Sequence, residues 1–403
     1  MRISTSTFYE RNLSALTNQQ TQLFRTQQML SAGTKYLTAG DDPIAASRAL
    51  GVRQTLAESS QFSDSRQSAM LTLSHEDTAL NSVTAIMQNI KTLTVAAGNG
   101  VLSDADRASY ATALQSNLDQ LVAVANSDDG NGQFLFAGYK SGTAPFAAAA
   151  GGAIQYVGDQ GQRLVQIDVA RQMSSSDDGR SVFQSVQGGA GYVTSGGAAN
   201  TGDGVFGAVS VIDATNANYG KDFTISFAAG NYTVSTNDTP PVVAATGPFT
   251  AGTPIAFGGV QLAVSGTPAD GDTFAVTTAK NAGTDVFASI SELVSVLRQP
   301  LAGGGAAAQA KLQNALSTAN VKVSNSYNNV LTIQASVGSR MNELDSLDSA
   351  GSSRDLLEKK NLSNIEDLDP VAAIADFYQR ETSLKATQLT FARLSNIALF
   401  NYI

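Results

Sequence analysis

Cysteine and tryptophan are absent from these 403 residues, and histidine occurs once, at His75. Without cysteine there can be no disulfide, thiolate metal site or cysteine nucleophile, and a single imidazole cannot build a multi-histidine metal centre. Basic residues are also in short supply: Lys and Arg number 25 against 34 Asp and Glu, a net charge of −9. No basic face is available for phosphates, so nucleic acid is not an expected partner. The chain has no apolar run of the roughly 18 residues that a membrane span needs, and no membrane insertion is expected. The segment Met1-Arg2-Ile3-Ser4-Thr5-Ser6-Thr7 lacks the apolar centre of a cleavable signal peptide. That leaves a cytoplasmic protein, or one exported by a route that needs no cleaved signal.

Hydrophobic residues make up 42% of the chain, enough for real cores, and the length predicts two or three domains. The two ends are slightly basic. Residues 1–40 hold Arg2, Arg11, Arg25 and Lys35 against Glu10, and residues 371–403 hold Arg380, Lys385 and Arg393 against Asp376 and Glu381. The acidic charge therefore lies in the middle, as expected of a solvated body with near-neutral ends that can pack closely.

Both ends carry heptad stripes that are only half apolar. Leu16, Leu23, Leu30 and Leu37 are seven apart, with Leu13, Gln20, Gln27 and Thr34 as companions. At the other extreme Phe377, Leu384, Phe391 and Ala398 align, with Ile374, Glu381, Gln388 and Ser395 beside them. A two-stranded coiled coil wants apolar residues in both columns, so each helix is weak alone. Two arrangements fit this pattern: ordinary core helices of a monomer, or two ends that pair and complete their burial only against neighbouring subunits. On the second reading the assembly residues are Leu13, Leu16, Leu23, Leu30, Leu37, Ile374, Phe377, Leu384, Phe391, Leu394, Ala398, Leu399 and Phe400.

Between the ends, a helix is expected over residues 4–37, then a break at Gly40-Asp41-Asp42-Pro43 and a long helix to Ala97. Leu73, Leu80 and Met87 form one of its columns, with Val83 and Ile90 in the other. Gly98-Asn99-Gly100 stops it, and Ser103 caps a second helix with Asp104 and Asp106 in its first turn, making an antiparallel hairpin. The period then changes. Gln133-Phe134-Leu135-Phe136-Ala137-Gly138 is expected as a short strand, followed by strands at 154–157 and 164–169 with Gly158-Asp159 leading the turn between them.

Composition shifts to Gly, Ala, Thr and Pro over about 188–283, where 223–227 and 232–234 flank a Gly230-Asn231 hairpin turn and 260–264 and 273–276 alternate similarly. An inserted β-rich outer domain of antiparallel strands is expected there, projecting from a helical frame. Helix resumes near Asp285 and is interrupted by Pro300 and Gly303-Gly304-Gly305. Leu316, Val323, Val330, Val337 and Leu344 then make the longest column, with Ala319, Ile333 and Leu347 beside it and Ser326 and Arg340 filling the remaining places. Asp369-Pro370 mirrors Asp42-Pro43 before the last helix. The expected division is 1–42 with 370–403 as a terminal assembly domain, 43–187 with 284–369 as a helical rod, and 188–283 as the insert.

Chemistry is hard to place. His75 has Glu76 and Asp77 beside it, but no Gly-x-Ser-x-Gly elbow accompanies it, and a surface histidine is expected. Gly98-Asn99-Gly100 follows a helix and lacks the third glycine of a dinucleotide fingerprint. Asp128-Asp129-Gly130-Asn131 and Asp177-Asp178-Gly179 lack the Glu that closes a calcium loop, and are read as turns. No cofactor, metal or catalytic residue is assigned.

Several segments together carry a resemblance. Met1-Arg2-Ile3-Ser4-Thr5, Ser31-Ala32-Gly33-Thr34-Lys35 and Asp41-Asp42-Pro43-Ile44-Ala45-Ala46-Ser47 are followed by Leu102-Ser103-Asp104-Ala105-Asp106-Arg107-Ala108-Ser109. Asp129-Gly130-Asn131-Gly132-Gln133-Phe134-Leu135-Phe136-Ala137-Gly138-Tyr139-Lys140 comes next. The set closes with Asn328-Asn329-Val330-Leu331-Thr332, Asn342-Glu343-Leu344-Asp345-Ser346-Leu347-Asp348-Ser349 and Leu399-Phe400. Over about 1–185 and 285–403 the chain resembles the hook-associated protein 3 family, the hook–filament junction proteins of the bacterial flagellum within the flagellin superfamily. Flagellins usually read Asp-Asp-Ala-Ala-Gly at the first break, where this chain has Pro43-Ile44-Ala45; residues 188–283 depart from the family pattern.

The resemblance implies a mainly α fold, a flagellin-like rod of long antiparallel helices carrying a β-rich insert, with coiled-coil-like ends. It implies a non-enzymatic, extracellular adaptor, exported unfolded by the flagellar type III system. Its implied partners are copies of itself in a ring, hook-associated protein 1, flagellin and a cytoplasmic export chaperone bound at the carboxy-terminal region. The alternatives are a flagellin filament subunit, or an enzyme or adhesin carried on the insert.

Overall fold

A computed structural model describes residues 5–149 and 151–400, with the side chains of residues 5, 6, 8 and 394–400 outside the description. The chain divides into two compact units. One contains the residues up to Asp64 and those from Ser346 onward; the other is Ser65–Asp345. Both divisions fall inside long helices, whereas the Asp-Pro breaks near 42 and 370 lie within the first unit.

The helices are α1 (Thr5–Ala32), α2 (Pro43–Ala97), α3 (Asp104–Ala125), α4 (Gly179–Phe183), α5 (Val286–Leu297), α6 (Gly305–Glu366) and α7 (Pro370–Phe400). The expected helix over 4–37 stops at Ala32, because Gly33 takes the left-handed conformation (φ 70°) that commonly closes a helix. Leu37 thus leaves the Leu column and lies in the linker. The α2 bounds follow from Pro43 at a first helical position, with Asp42 Oδ1 accepting the Ala45 amide at 2.9 Å, and from the Gly98 stop. Ser103 and Asp106 cap α3 reciprocally: the Asp106 amide donates to Ser103 Oγ (3.2 Å) and the Ser103 amide to Asp106 Oδ2 (3.0 Å).

In the second unit, Leu73, Leu80, Val83, Met87 and Ile90 of α2, Leu114, Leu118 and Leu121 of α3, and Leu316, Val323, Val330, Val337 and Leu344 of α6 are all buried. Polar side chains link these helices at the rim of that core. Asn89 donates to Asn117 (2.9 Å), Gln88 to the Tyr327 hydroxyl (2.8 Å), and Gln334 to Asp77 (3.1 Å) and Asn81 (2.9 Å). Partners at 77, 81 and 88 meet 334 and 327, so α2 and α6 run antiparallel. A second, aromatic core joins Phe136, Phe146, Phe183 and Phe287, with ring centroids 4.9–5.5 Å apart. Asn329 of α6 donates to the Ser181 and Val182 carbonyls of α4 at 2.8 and 3.1 Å, satisfying acceptors that so short a helix leaves open.

The expected strand at 133–138 is instead a turn with a single bridge between Asp128 and Phe134. Leu135, Phe136 and Ala137 are all buried in succession, which alternation in a half-buried strand forbids. The 154–157 and 164–169 segments do not pair with each other. β1 (Phe146–Ala148) pairs with β2 (Ile154–Tyr156), and β3 (Leu164–Asp168) with β4 (Arg171–Ser174), both antiparallel.

The β-rich stretch holds β5 (Tyr192–Gly196), β6 (Val205–Phe206), β7 (Ser210–Val211), β8 (Phe223–Ala228), β9 (Asn231–Thr236), β10 (Val243–Pro248), β11 (Pro254–Phe257), β12 (Val260–Ser265) and β13 (Thr273–Thr278). One sheet has the order β10-β9-β8-β13-β5. The other is β11-β12-β6, with β7 also on β12. Alternate residues Phe223, Ile225, Phe227, Val260, Leu262, Val264, Phe274 and Val276 point into a common core. The β8–β9 turn is made by Ala229 and Gly230, both at positive φ, as a two-residue hairpin turn requires. Asn314 of α6 fixes β6 from both sides, accepting the Phe206 amide (3.1 Å) and donating to the Gly204 carbonyl (2.9 Å).

Phe183→Ala should destabilise the second unit by about 3–5 kcal/mol, the usual cost of emptying an aromatic site. A lowered thermal midpoint followed by near-ultraviolet circular dichroism would register it; an unchanged midpoint would mean that the aromatic core contributes little.

Candidate assembly interface

The first unit is built around α1 and α7, which lie side by side and antiparallel. Tyr9 stacks on Phe391 (centroids 5.2 Å apart), Arg380 Nη1 donates to Gln22 Oε1 at 2.8 Å, and the Thr26 hydroxyl donates to Asp376 Oδ2 at 3.5 Å. Arg380 Nε also binds Asp376 Oδ2 at 2.6 Å. Thus residues 9, 22 and 26 meet 391, 380 and 376. Around these groups is a cavity of about 360 Å³, walled by Gln22, Arg25, Thr26 and Met29 on one side and Leu368, Ala373, Asp376 and Arg380 on the other.

Below the helix pair, the two linkers clasp each other. The Lys35 amide donates to the Glu366 carbonyl (2.8 Å) and the Leu368 amide to the Gly33 carbonyl (2.9 Å), with a bridge between Thr34 and Asp367. The Glu366 carboxylate takes the Tyr36 hydroxyl at 3.1 Å and the Arg53 guanidinium at 2.7 Å. Asp41 accepts the Thr38 and Leu37 amides and stands 2.6 Å from Arg25; these amides, with Arg25 adding to them, hold its carboxyl below the ordinary value. The start of α7 matches that of α2. Asp369 Oδ1 accepts the Val371 and Ala372 amides at 2.9 and 3.3 Å, with Pro370 at the first helical position.

Apolar burial is sparse here. Among the described residues of this unit the buried hydrophobic side chains are Ala49, Ala373 and Leu384, the last 8% exposed. Of the residues expected to assemble, Leu16, Leu23, Leu30, Phe377 and Phe391 are half-buried, whereas Leu13, Leu37 and Ile374 are exposed. Leu394, Ala398, Leu399 and Phe400 lie outside the described side chains. Heptad reasoning missed a further set of exposed residues: Phe24 (63% exposed), Tyr378, Leu389 and Val371 (79%) on the helix pair, and Ile44, Leu50, Leu356 and Leu357 below it. The doublets Leu23-Phe24 and Phe377-Tyr378 were the available signal, because a doublet widens an apolar stripe beyond one column.

Fixing a residue's backbone costs about 1–2 kcal/mol, whereas fully burying a large apolar side chain returns about 1.5–3 kcal/mol. With one such side chain buried among the described residues, the described part of the helix pair draws little support from apolar contacts of its own. The large apolar side chains left exposed on this unit are surface that another protein could cover.

The residues elsewhere that suggested chemistry have structural partners. Asp178 caps α4, its Oδ1 accepting the Ser181 amide at 3.0 Å, and Asp129 Oδ1 accepts the Asn131 amide of its own turn at 2.9 Å. His75 is exposed on α2. Among the described residues no group of His, Cys, Asp and Glu is arranged to hold a metal ion, and no helix is long and apolar enough to cross a membrane.

Residues 3–141 match the bacterial flagellin N-terminal helical region. Over 400 residues the chain is 30% identical to flagellar hook-associated protein 3 of Salmonella typhimurium strain LT2, covering 99% of each, and equally to flagellar hook-associated protein 3 of Escherichia coli K12. The crystal structure of FlgL from Xanthomonas campestris superposes with a TM-score of 0.68 at 28% identity, covering 77% of this chain and 99% of that one.

Leu384→Ala should remove about 2 kcal/mol or more from the α1–α7 pairing. Amide exchange measured by mass spectrometry should speed up across α1 and α7 and stay unchanged across 316–344; unchanged exchange in α1 would show that the helices do not depend on each other.

Proposed function

This chain belongs to the flagellar hook-associated protein 3 family, and on that premise we propose that it is a structural adaptor joining the flagellar hook to the flagellin filament. The single observation that carries the mechanism is that, among the described residues, Leu384 is the one large apolar side chain of α1 and α7 that is buried. In the monomer the two helices hold each other by polar contacts, the Tyr9–Phe391 pair and a thin apolar seam at Leu384; in the assembly, neighbouring subunits cover Phe24, Tyr378, Leu389 and the half-buried Leu and Phe columns. Assembly then supplies the apolar burial that the isolated unit lacks, so ordering and polymerisation are coupled.

Residues 1–42 with 370–403 are the assembly domain, 43–187 with 284–369 the helical frame, and 188–283 an outer module not needed for joining. Copies of the chain form a ring, with hook-associated protein 1 on the hook side and flagellin on the filament side. Before export, a cytoplasmic chaperone covers the carboxy-terminal region. The chain leaves the cell unfolded through the flagellar export channel. No catalytic step is part of this role. Full-length likeness to hook-associated protein 3, together with Pro43-Ile44-Ala45 at the first break, argues against a filament subunit.

Removing 371–403 should leave the second unit with its thermal transition intact but abolish joining, seen as loss of filaments in a strain whose own copy is deleted. Normal filaments from that truncation would overturn the assignment of the terminal helices. Replacing 188–283 by a short linker should leave swimming in soft agar nearly unchanged; a non-motile strain with normal export of the protein would place an essential contact on the insert.

A further inference from the structure

Glu76 stands where α2 calls for an apolar side chain. Ala69, Leu73, Glu76, Leu80, Val83, Met87 and Ile90 follow one another in steps of three and four, and all are buried, Glu76 with 1% of its surface exposed. On α6 the matching stripe is broken by Arg340, between Val337 and Leu344. The two intrusions converge on the turn at 174–178. The Asp177 amide donates to Glu76 Oε1 at 3.3 Å, and Arg340 donates to the Ser174 carbonyl at 3.0 Å and to the Asp177 carboxylate. Glu76 Oε2 is buried without a hydrogen-bond partner.

Two carboxyls therefore face one guanidinium, with Glu76 buried and Asp177 and Arg340 at the edge of solvent. With both ionised, the site carries an excess negative charge, and the part of it on Glu76 is cut off from water, a state that costs more than keeping one proton there. Asp177 has the guanidinium; Glu76 has a single long contact from an amide. We propose that Glu76, Asp177 and Arg340 form a proton-gated pin: a proton kept on Glu76 holds the 174–178 turn against α2 and α6, and its loss frees that turn. Burial pushes the Glu76 carboxyl well above its ordinary value, the Asp177 charge adds to the rise, and Arg340 opposes it.

The other charged groups nearby have separate partners. Asp77 faces Gln334, Glu343 of α6 is bound by Arg171 of β4 at 2.8 and 3.1 Å, and Asp178 caps α4. What the turn carries makes the pin consequential. It leads directly into α4, whose Phe183 belongs to the aromatic core, and the Gly179 amide binds the Phe136 carbonyl at 2.8 Å.

A carboxyl raised in the folded state binds its proton more tightly there than in the unfolded chain. Its stabilising contribution is complete below the unfolded value of 4.5 and disappears as pH climbs through the folded value. The test is amide exchange of the full-length chain, corrected for intrinsic rates, followed from about pH 5 to about pH 9. Protection across 171–183 should fall by up to about tenfold per pH unit while the opened segment has lost the proton that folded Glu76 still holds, and level off once Glu76 ionises in place, while 316–337 keeps its protection. In Glu76→Gln, which retains a neutral group of the same shape, protection across 171–183 should be high and flat. Uniform protection of 171–183 in the unaltered chain, or an alkaline fall that survives in Glu76→Gln, would overturn the proposal. If Glu76→Gln fails to fold, Asp177→Asn serves instead: it removes the charge that adds to the rise and leaves the burial, so the alkaline fall should level off at lower pH, and a fall as deep as in the unaltered chain would overturn the pin.

Discussion

Helices α1 and α7 meet through a hydroxyl, a carboxylate, a guanidinium and an amide, with the Tyr9–Phe391 pair and a thin apolar seam in which Leu384 is the one large side chain buried among those described. Exposed polar pairs of this sort contribute little net free energy, because each partner gives up good contacts with water. Two helices of 28 and 31 residues are thus held in register without being strongly held together. On the proposed role their remaining stabilisation comes from neighbouring subunits, which suits the terminal helices to joining. Specificity and affinity are separated here: the polar contacts choose the alignment, and the uncovered Leu, Phe and Tyr side chains supply what a neighbour can bury.

The second unit answers the same alignment problem under opposite conditions. Its long helices present apolar stripes in which successive heptads look alike, and such stripes pack nearly as well when shifted by one repeat. Polar residues set inside them break the degeneracy. Arg66 reaches the Ile167 carbonyl at 3.1 Å, Asn329 reaches two carbonyls of α4, and Arg340 reaches the 174–178 turn. Each of these is satisfied in one alignment only, and a shifted partner would leave a buried donor unpaired. Ser326, at 3% exposure, fills the stripe of α6 as a small spacer.

Much of this was legible where a local signal set a boundary. Asp42-Pro43 and Gly98 bracket α2, and Ser103 with Asp106 start α3, because capping is decided by residues adjacent in sequence. The end of α1 was not legible, since Leu37 continues the Leu column past Gly33 and the column outweighs one glycine. Residues 133–138 read as a strand from their Phe and Leu content, yet Leu135, Phe136 and Ala137 are all drawn inward by long-range packing that no local pattern encodes. Pairing between the chain ends was foreshadowed by their matching half-apolar stripes. Which residues touch, Tyr9 with Phe391 or Gln22 with Arg380, depends on contacts across nearly the whole chain. Glu76 could have been noticed from its place between Leu73 and Leu80, three and four residues away.

The order of partners in the first unit has a kinetic corollary. Ser63 binds Asp348, Arg53 binds Glu366, Lys35 meets Glu366, Thr26 meets Asp376, Gln22 meets Arg380, and Tyr9 meets Phe391. These are rungs of a ladder whose numbers diverge steadily from the middle of the chain toward both extremities. Joining Tyr9 to Phe391 first would close a loop of almost the entire polypeptide, whereas each inner rung shortens the loop left for the next. Loop closure alone therefore favours zipping outward, with the outermost rung the last to close.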